Sequence, residues 1–182
     1  MDKDGWYYNM ATILRGDDNF DTAIAQKALV QTHLNTTSSQ SISSSTRTNI
    51  SGLNATITPS TTSKRIKITV RWNGEHSDEL NYNQVFGIKR DTTDVGNPSA
   101  SGSRPIGMAI IAQGFYSNNA ASTADSVMYS YIDSPATTSA ITYHATYLND
   151  KSGTLYNQRT VNDTDSLSSD RLTSTIILEE VD

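Results

Sequence analysis

Residues able to do chemistry are few and scattered in this 182-residue chain. Its three histidines, His33, His76 and His144, lie far apart, and no pair stands at metal-ligand spacing. His144 alternates with Tyr143 and Ala145 in a strand-like stretch, which reads as a hydrogen-bonded strand-face or surface side chain. His76 sits in Glu75-His76-Ser77-Asp78-Glu79, where an imidazole beside carboxylates has the composition of a general base. That stretch follows the turn dipeptide Asn73-Gly74, so the expectation is a solvated loop tip. The chain holds 24 serines, none in a Gly-x-Ser-x-Gly elbow, and at that abundance some Ser-His-Asp combination always exists on paper. Paired carboxylates of the glycosidase kind would have to come from different strands, and nothing marks a pair. Asp17-Asp18-Asn19-Phe20-Asp21 and Asp163-Thr164-Asp165-Ser166-Leu167-Ser168-Ser169-Asp170 gather oxygens as a calcium site does, yet lack the loop glycine and terminal Glu of an EF-hand. Both read as ordinary acidic turns.

Composition narrows the field further. With no Cys, the chain forms no disulfide, thiolate zinc site, iron–sulfur ligation or cysteine nucleophile. A net charge of −5 and a pI near 5.1 give no pull towards phosphate backbones, so nucleic acid is not an expected partner. No opening apolar stretch has signal-peptide character and no run approaches the ~20 residues of a membrane span. The expectation is a soluble protein made without translocation, with no membrane partner, no metal and no cofactor. Only 35% of residues are hydrophobic and 18% charged, while Ser and Thr make up about a quarter. Disordered chains reach such polarity through net charge; here the polar bulk is neutral hydroxyl and amide, which suits strands with one solvated face.

The elements that would position these groups are strands. In Arg65-Ile66-Lys67-Ile68-Thr69-Val70-Arg71-Trp72 the alternation is complete: Arg65, Lys67, Thr69 and Arg71 on one face, Ile66, Ile68, Val70 and Trp72 on the other. Burying each Ile or Val is worth ~1.5–3 kcal/mol, and a one-residue slip would turn the whole apolar set outward. With 64–73, further strands are expected at 28–35, 48–58, 82–90, 105–116, 126–132, 140–149, 153–159 and 173–181. Turn chemistry separates them at Thr58-Pro59-Ser60, Asn73-Gly74, Gly96-Asn97-Pro98, Ser101-Gly102-Ser103, Asp133-Ser134-Pro135 and Lys151-Ser152-Gly153. Residues 148–156 read as a hairpin bent at Gly153. The hydroxyl-rich stretch 36–46 reads as the polar edge of a sheet in preference to a linker. Tyr129 with Tyr131, and Tyr143 with Tyr147, form aligned pairs, read as sandwich core in preference to an interface or sugar-stacking surface. Many strands without a βαβ rhythm imply an all-β, antiparallel jelly-roll-like β-sandwich over 28–182. Residues 1–27 lack this alternation and are read as an extended N-terminal arm, with one or two helical turns in the window 21–29 capped by Asp21.

The motif order in this sandwich region also carries a family resemblance. Ser51-Gly52-Leu53-Asn54-Ala55-Thr56-Ile57-Thr58-Pro59, Ser63-Lys64-Arg65-Ile66-Lys67-Ile68, Tyr131-Ile132-Asp133-Ser134-Pro135-Ala136-Thr137-Thr138, Ile141-Thr142-Tyr143 and Ser174-Thr175-Ile176-Ile177-Leu178-Glu179-Glu180 together resemble a β-sandwich family of tailed-bacteriophage virion proteins, notably of phages of cyanobacteria and marine bacteria. The resemblance covers about residues 45–182. Met10-Ala11-Thr12-Ile13-Leu14-Arg15-Gly16-Asp17-Asp18-Asn19-Phe20-Asp21 is similar to the opening of phage virion proteins, which implies an attachment segment. The resemblance implies a trimeric jelly-roll-like module on the particle exterior. Neither heptads nor a repeated shaft stand between arm and module, which favours a squat capsid protein over a long fibre.

The resulting expectation is a non-enzymatic virion protein: a homotrimeric decoration, or cement, protein whose arm binds the major capsid protein and clamps the shell. Trp6, Tyr7, Tyr8, Ile13, Leu14, Arg15 and Phe20 are the expected anchors, being aromatic, apolar or Arg side chains of the types that carry interface energy. The alternative is a short tail-fibre or receptor-binding protein recognising host-surface polysaccharide, and a third reading is a glycan-cleaving enzyme on the same sandwich.

Overall fold

The chain is described as a computed structural model over residues 28–77, 80, 83–111 and 124–182. Ten strands form two antiparallel sheets: β1 (Leu29–Leu34), β2 (Ser38–Ile42), β3 (Thr48–Ile57), β4 (Arg65–His76), β5 (Val85–Arg90), β6 (Thr93–Val95), β7 (Asp125–Asp133), β8 (Ile141–Leu148), β9 (Gly153–Asn157) and β10 (Ser174–Val181). Pairing is nested: β1 with β10, β2 with β9, β3 with β8, β4 with β7 and β5 with β6. The chain is thus one long hairpin bent between β5 and β6 and rolled up, and the β4–β10, β4–β9 and β5–β8 ladders close the roll. Setting β2 and β9 aside, strand orders β1-β10-β4-β7 and β3-β8-β5-β6 give a jelly roll of eight strands, the fold class expected from the sequence.

Alternation explains which side of each strand meets the core. Ile66, Ile68, Val70 and Trp72 of β4 and Ile176 and Leu178 of β10 are buried, and they face Ile50, Leu53, Ala55 and Ile57 of β3 and Ile141, Tyr143, Ala145 and Tyr147 of β8. Phe86 sits where the two sheets meet. Its ring centroid is 5.2 Å from Trp72, 5.1 Å from Tyr147 in an edge-on contact and 6.3 Å from Tyr129, so β4, β5, β7 and β8 are joined by one aromatic cluster. The bend of the roll is set by Asp91 at φ +50°, a left-handed conformation that Asp tolerates; its carboxylate accepts the Thr142 amide at 3.0 Å.

The hydroxyl-rich stretch does form a sheet edge, β2, bonded to β9. Four expectations are corrected, and one strand was not foreseen. Asn73-Gly74 is no turn, because β4 continues through it to His76. The strand expected at 105–116 is, among its described residues, only an isolated bridge from Ala109 to Phe86. Residues 148–156 form no hairpin: β8 belongs to the four-stranded sheet and β9 to the six-stranded one, so the chain crosses between sheets here. Asn149 holds that crossing, donating to the Leu80 carbonyl at 3.0 Å and accepting the Lys151 amide at 2.8 Å. Leu29 opens β1 instead of closing a helical turn, paired with Glu179. β6, only three residues long, is too short for alternation to reveal. The arm expected at 1–27 lies outside the described residues.

Candidate functional site

β4 changes partner part-way along its length, and this creates the most polar part of the interior. β10 lies beside it from Arg65 to Arg71, β9 takes over from Gly74 to His76, and β7 runs along the opposite edge. Asn73, Glu75 and His76 are consequently buried. Polar groups there must be bonded, since each orphan costs ~1–3 kcal/mol. The Asn73 amide N–H donates to Ser174 Oγ at 2.9 Å, its side chain donates to the Thr173 carbonyl, and its carbonyl accepts the Gln158 amide at 2.9 Å. Gln158 Nε2 also donates to Ser174 Oγ at 2.8 Å. Trp72 Nε1 donates to Asn157 Oδ1 at 2.8 Å, and Asn157 Nδ2 donates to Ser38 Oγ at 3.3 Å, tying β2 to the same network. Gly74 is required by contact: a Cβ there would lie 2.7 Å from Trp72 Cζ2 and against the Tyr156 carbonyl.

His76, expected at a solvated loop tip, stands inside the fold. His76 Nδ1 is 3.3 Å from the Ser77 carbonyl, and Glu75 Oε2 accepts the Val161 amide at 2.7 Å. On the neighbouring strand, half-buried Asp125 has its carboxyl pushed above the ordinary range, first by burial; nearby His76 opposes the shift and Glu75 adds to it. Sequence reading missed this group because Asp125 reaches Gly74 only through the β4–β7 ladder.

The other carboxylates of the interior are also bound. Asp133 Oδ2 accepts Arg90 at 2.9 Å and the Tyr143 hydroxyl at 2.7 Å, while Glu180 accepts both the amide and the hydroxyl of Ser60 at 2.7 Å. Burial, reinforced by the Asp133 bond and charge, pushes the Tyr143 phenol far up and keeps it a donor. Tyr129 donates to the Gly87 carbonyl at 2.9 Å, so tyrosines of both aligned pairs tie the two sheets together. Tyr129, Tyr143 and Tyr147 are core and Tyr131 packs against them, as the sequence reading preferred. Arg47 clips the four-stranded sheet: it donates to Thr146 Oγ1 at 3.1 Å and to the Ile106 carbonyl and lies 3.4 Å from Asp94.

The remaining sequence candidates fall at separate places. His33 Nδ1 is 3.0 Å from Thr175 Oγ1 on the solvent face of β1 and β10. His144 is half-buried and held below its ordinary value by burial, with Asp91 opposing the shift. In the acidic stretch 163–170, Asp163 gives one oxygen to Arg171 at 2.5 Å and the other to Arg159 at 3.6 Å, so its carboxylate is matched to guanidinium groups of its own loop. The acidic stretch at 17–21 and the anchors Trp6, Tyr7, Tyr8, Ile13, Leu14, Arg15 and Phe20 lie outside the described residues. Among the described residues, no cluster of three or more metal-ligating side chains forms.

Among the described residues, one face of the six-stranded sheet is turned to solvent. Register places Leu29, Glu179, Lys67 and Ile132 in one row across β1, β10, β4 and β7, and His33, Thr175, Arg71 and Met128 in another. Lys67 and Glu179 pair at 2.8 Å between apolar ends. Leu29 and Met128 are 66% and 69% exposed, large values for such side chains on strands. A scan against models of known protein families matches none of them, and no curated protein is significantly similar to the chain.

Proposed function

We propose that this is a non-enzymatic structural protein of a tailed-bacteriophage virion, a homotrimeric capsid decoration protein whose residues 1–27 dock on the major capsid protein. The observation that carries the structural part of this reading is the use made of the buried carboxylates. Glu75, Asp133 and Glu180 each accept hydrogen bonds that join separate segments of the chain, which is the work of a scaffold. A catalytic acid or base needs a position open to substrate, and these oxygens face the protein's own amides, hydroxyls and guanidinium. The virion assignment draws its support from the ordered motifs that resemble phage β-sandwich modules, together with the aromatic, Arg-containing opening segment.

In this reading the sandwich supplies a rigid body, and bridging between neighbouring capsid subunits adds to shell stability by linkage, because each contact is made only by the assembled state. Deleting residues 1–27 tests it. The truncated chain is expected to keep its strand content by circular dichroism and to lose binding to purified capsids; binding at the level of the full chain would overturn the docking role. Copy number per particle separates a decoration protein, which scales with capsid subunits, from a tail component recognising host polysaccharide, which scales with the tail.

A further inference from the structure

A strand at a sheet edge exposes a row of unpaired backbone groups, and soluble proteins blunt such edges with short length, charged or Pro side chains, or bulges. Most edges here follow that rule. β2 has five residues and β6 three, and β3 is interrupted by an irregularity between Asn49 and Asn54. β7 does not. It runs for nine residues with β4 along one side, and no described strand pairs with its other side. Its solvent face is Ser126, Met128, Ser130 and Ile132, with no charge, and Met128 and Ile132 are 69% and 46% exposed.

We propose that β7 is a self-association edge, at which two copies of the chain pair antiparallel about a twofold axis through Ser130 and join two six-stranded sheets into one. The strand's own pattern argues for a second copy as occupant. Centred on Ser130, the pairing sets Met128 opposite Ile132 of the second copy twice over, Ser130 opposite its equivalent, and Tyr129 opposite Tyr131. Apolar cross-strand pairs of this kind stabilise a ladder. Centring on Tyr129 instead sets Asp125 opposite Asp133 and each of the exposed Met128 and Ile132 opposite a serine. A one-residue shift sets buried positions opposite exposed ones. The cations on the solvent face beside β7, Lys67 and Arg71, are on β4, and Arg90 is already paired with Asp133 at the end of β7; across the new contact the two β4 strands are three strand spacings apart, about 14 Å, beyond the ~10 Å screening length at 0.1 M salt. An isologous contact is made by the same patch on both copies, and β7 includes no residue of 1–27, so it is independent of the docking role of that segment.

Because the chain has no Cys, one engineered thiol reads the register directly. In the full-length protein, Ser130→Cys is expected to give a disulfide-linked dimer under mild oxidation, since residues paired across antiparallel strands have Cα atoms ~4.5–5.5 Å apart, within disulfide reach. Met128→Cys is the control: its two copies fall about 13 Å apart along the strands and are expected to stay unlinked. In sedimentation equilibrium, the wild-type mass is expected to rise with concentration to at least twice its dilute value. The Met128→Lys/Ile132→Lys double variant is expected to hold the dilute value with an unchanged circular dichroism spectrum. A wild-type mass independent of concentration, or cross-linking of Met128→Cys as efficient as that of Ser130→Cys, overturns the proposal.

Discussion

The two parts of β4 share one strand and follow opposite rules. Residues 65–72 alternate, with Ile66, Ile68, Val70 and Trp72 fully buried and the intervening residues turned to solvent. Residues 73–76 are buried throughout, although they are Asn, Gly, Glu and His. Burial in the first part is driven by apolar area removed from water. In the second part it is imposed by neighbours: β7 flanks it on one side, β9 on the other, and the segment around 158–161 bonds to it from beyond. Its polar groups add little net stability when bonded and cost much when orphaned, so the segment specifies which strands meet while the apolar half supplies the driving force. That asymmetry is a difference in mechanism, and substitution separates the two.

The largest effect is expected in the apolar half. Trp72→Ala should cost about 4 kcal/mol in urea denaturation, as removal of a buried large aromatic does, and should also leave Asn157 Oδ1 without its donor. A loss below about 2 kcal/mol would mean that this half is not where the fold's stability resides. Gly74→Ala comes next, at about 3 kcal/mol by the same measurement. Its methyl would overlap Trp72 and the Tyr156 carbonyl, both of which are fixed by their own bonding. Were Asn73-Gly74 a solvated turn, the same substitution would cost only about 1 kcal/mol, from the left-handed backbone alone. Asn73→Ala should cost about 2 kcal/mol by leaving the Thr173 carbonyl unbonded, and Asn73→Asp should not restore it, because a carboxylate cannot donate.

Two smaller effects sharpen the contrast. Asp125 has a folded-state pKa raised by burial, so its charged form is disfavoured in the fold, and its contribution to stability declines as pH rises through that raised value. Asp125→Asn is expected to stabilise the protein at neutral pH, with the gain vanishing below the ordinary Asp value of 3.8, where both states are protonated. Thermal midpoints at several pH values check this, and a gain that persists in acid would exclude the electrostatic cause. Lys67→Ala on the solvent side of β4 should change stability by less than about 1 kcal/mol, since its bridge to Glu179 is half-exposed and screened by solvent.

The strands that could be read in advance were those whose cause is local. The alternation in 65–72 assigned four inward side chains correctly, and the Ser- and Thr-rich stretch was placed at a sheet edge because hydroxyls satisfy the solvated side of a strand. The tyrosines were placed in the core by the same two-residue period. Misreadings arose where a local signal met a distant one. Asn73-Gly74 has turn propensity, and it is overridden by β7 and β9 from 50 to 80 residues downstream. Glycine serves there through its lack of a Cβ at a close approach, and not through a turn. Gly153 likewise marks a close approach to Leu80 and Ser77, not the bend of a hairpin.

The chain's own pattern of apolar and polar residues determined that the protein is an all-β sandwich and which faces of its strands turn inward, because side-chain alternation is a property of each strand alone. Which strands pair was decided only in three dimensions. Every nested ladder from β1–β10 to β5–β6 joins segments whose individual patterns are interchangeable, and only their shared interior, with the buried bonds of Asn73, Gln158 and Ser174 at the point where β4 changes partner, selects one arrangement. Period two reports facing, and pairing depends on volumes and hydrogen bonds that exist only after the chain has closed on itself.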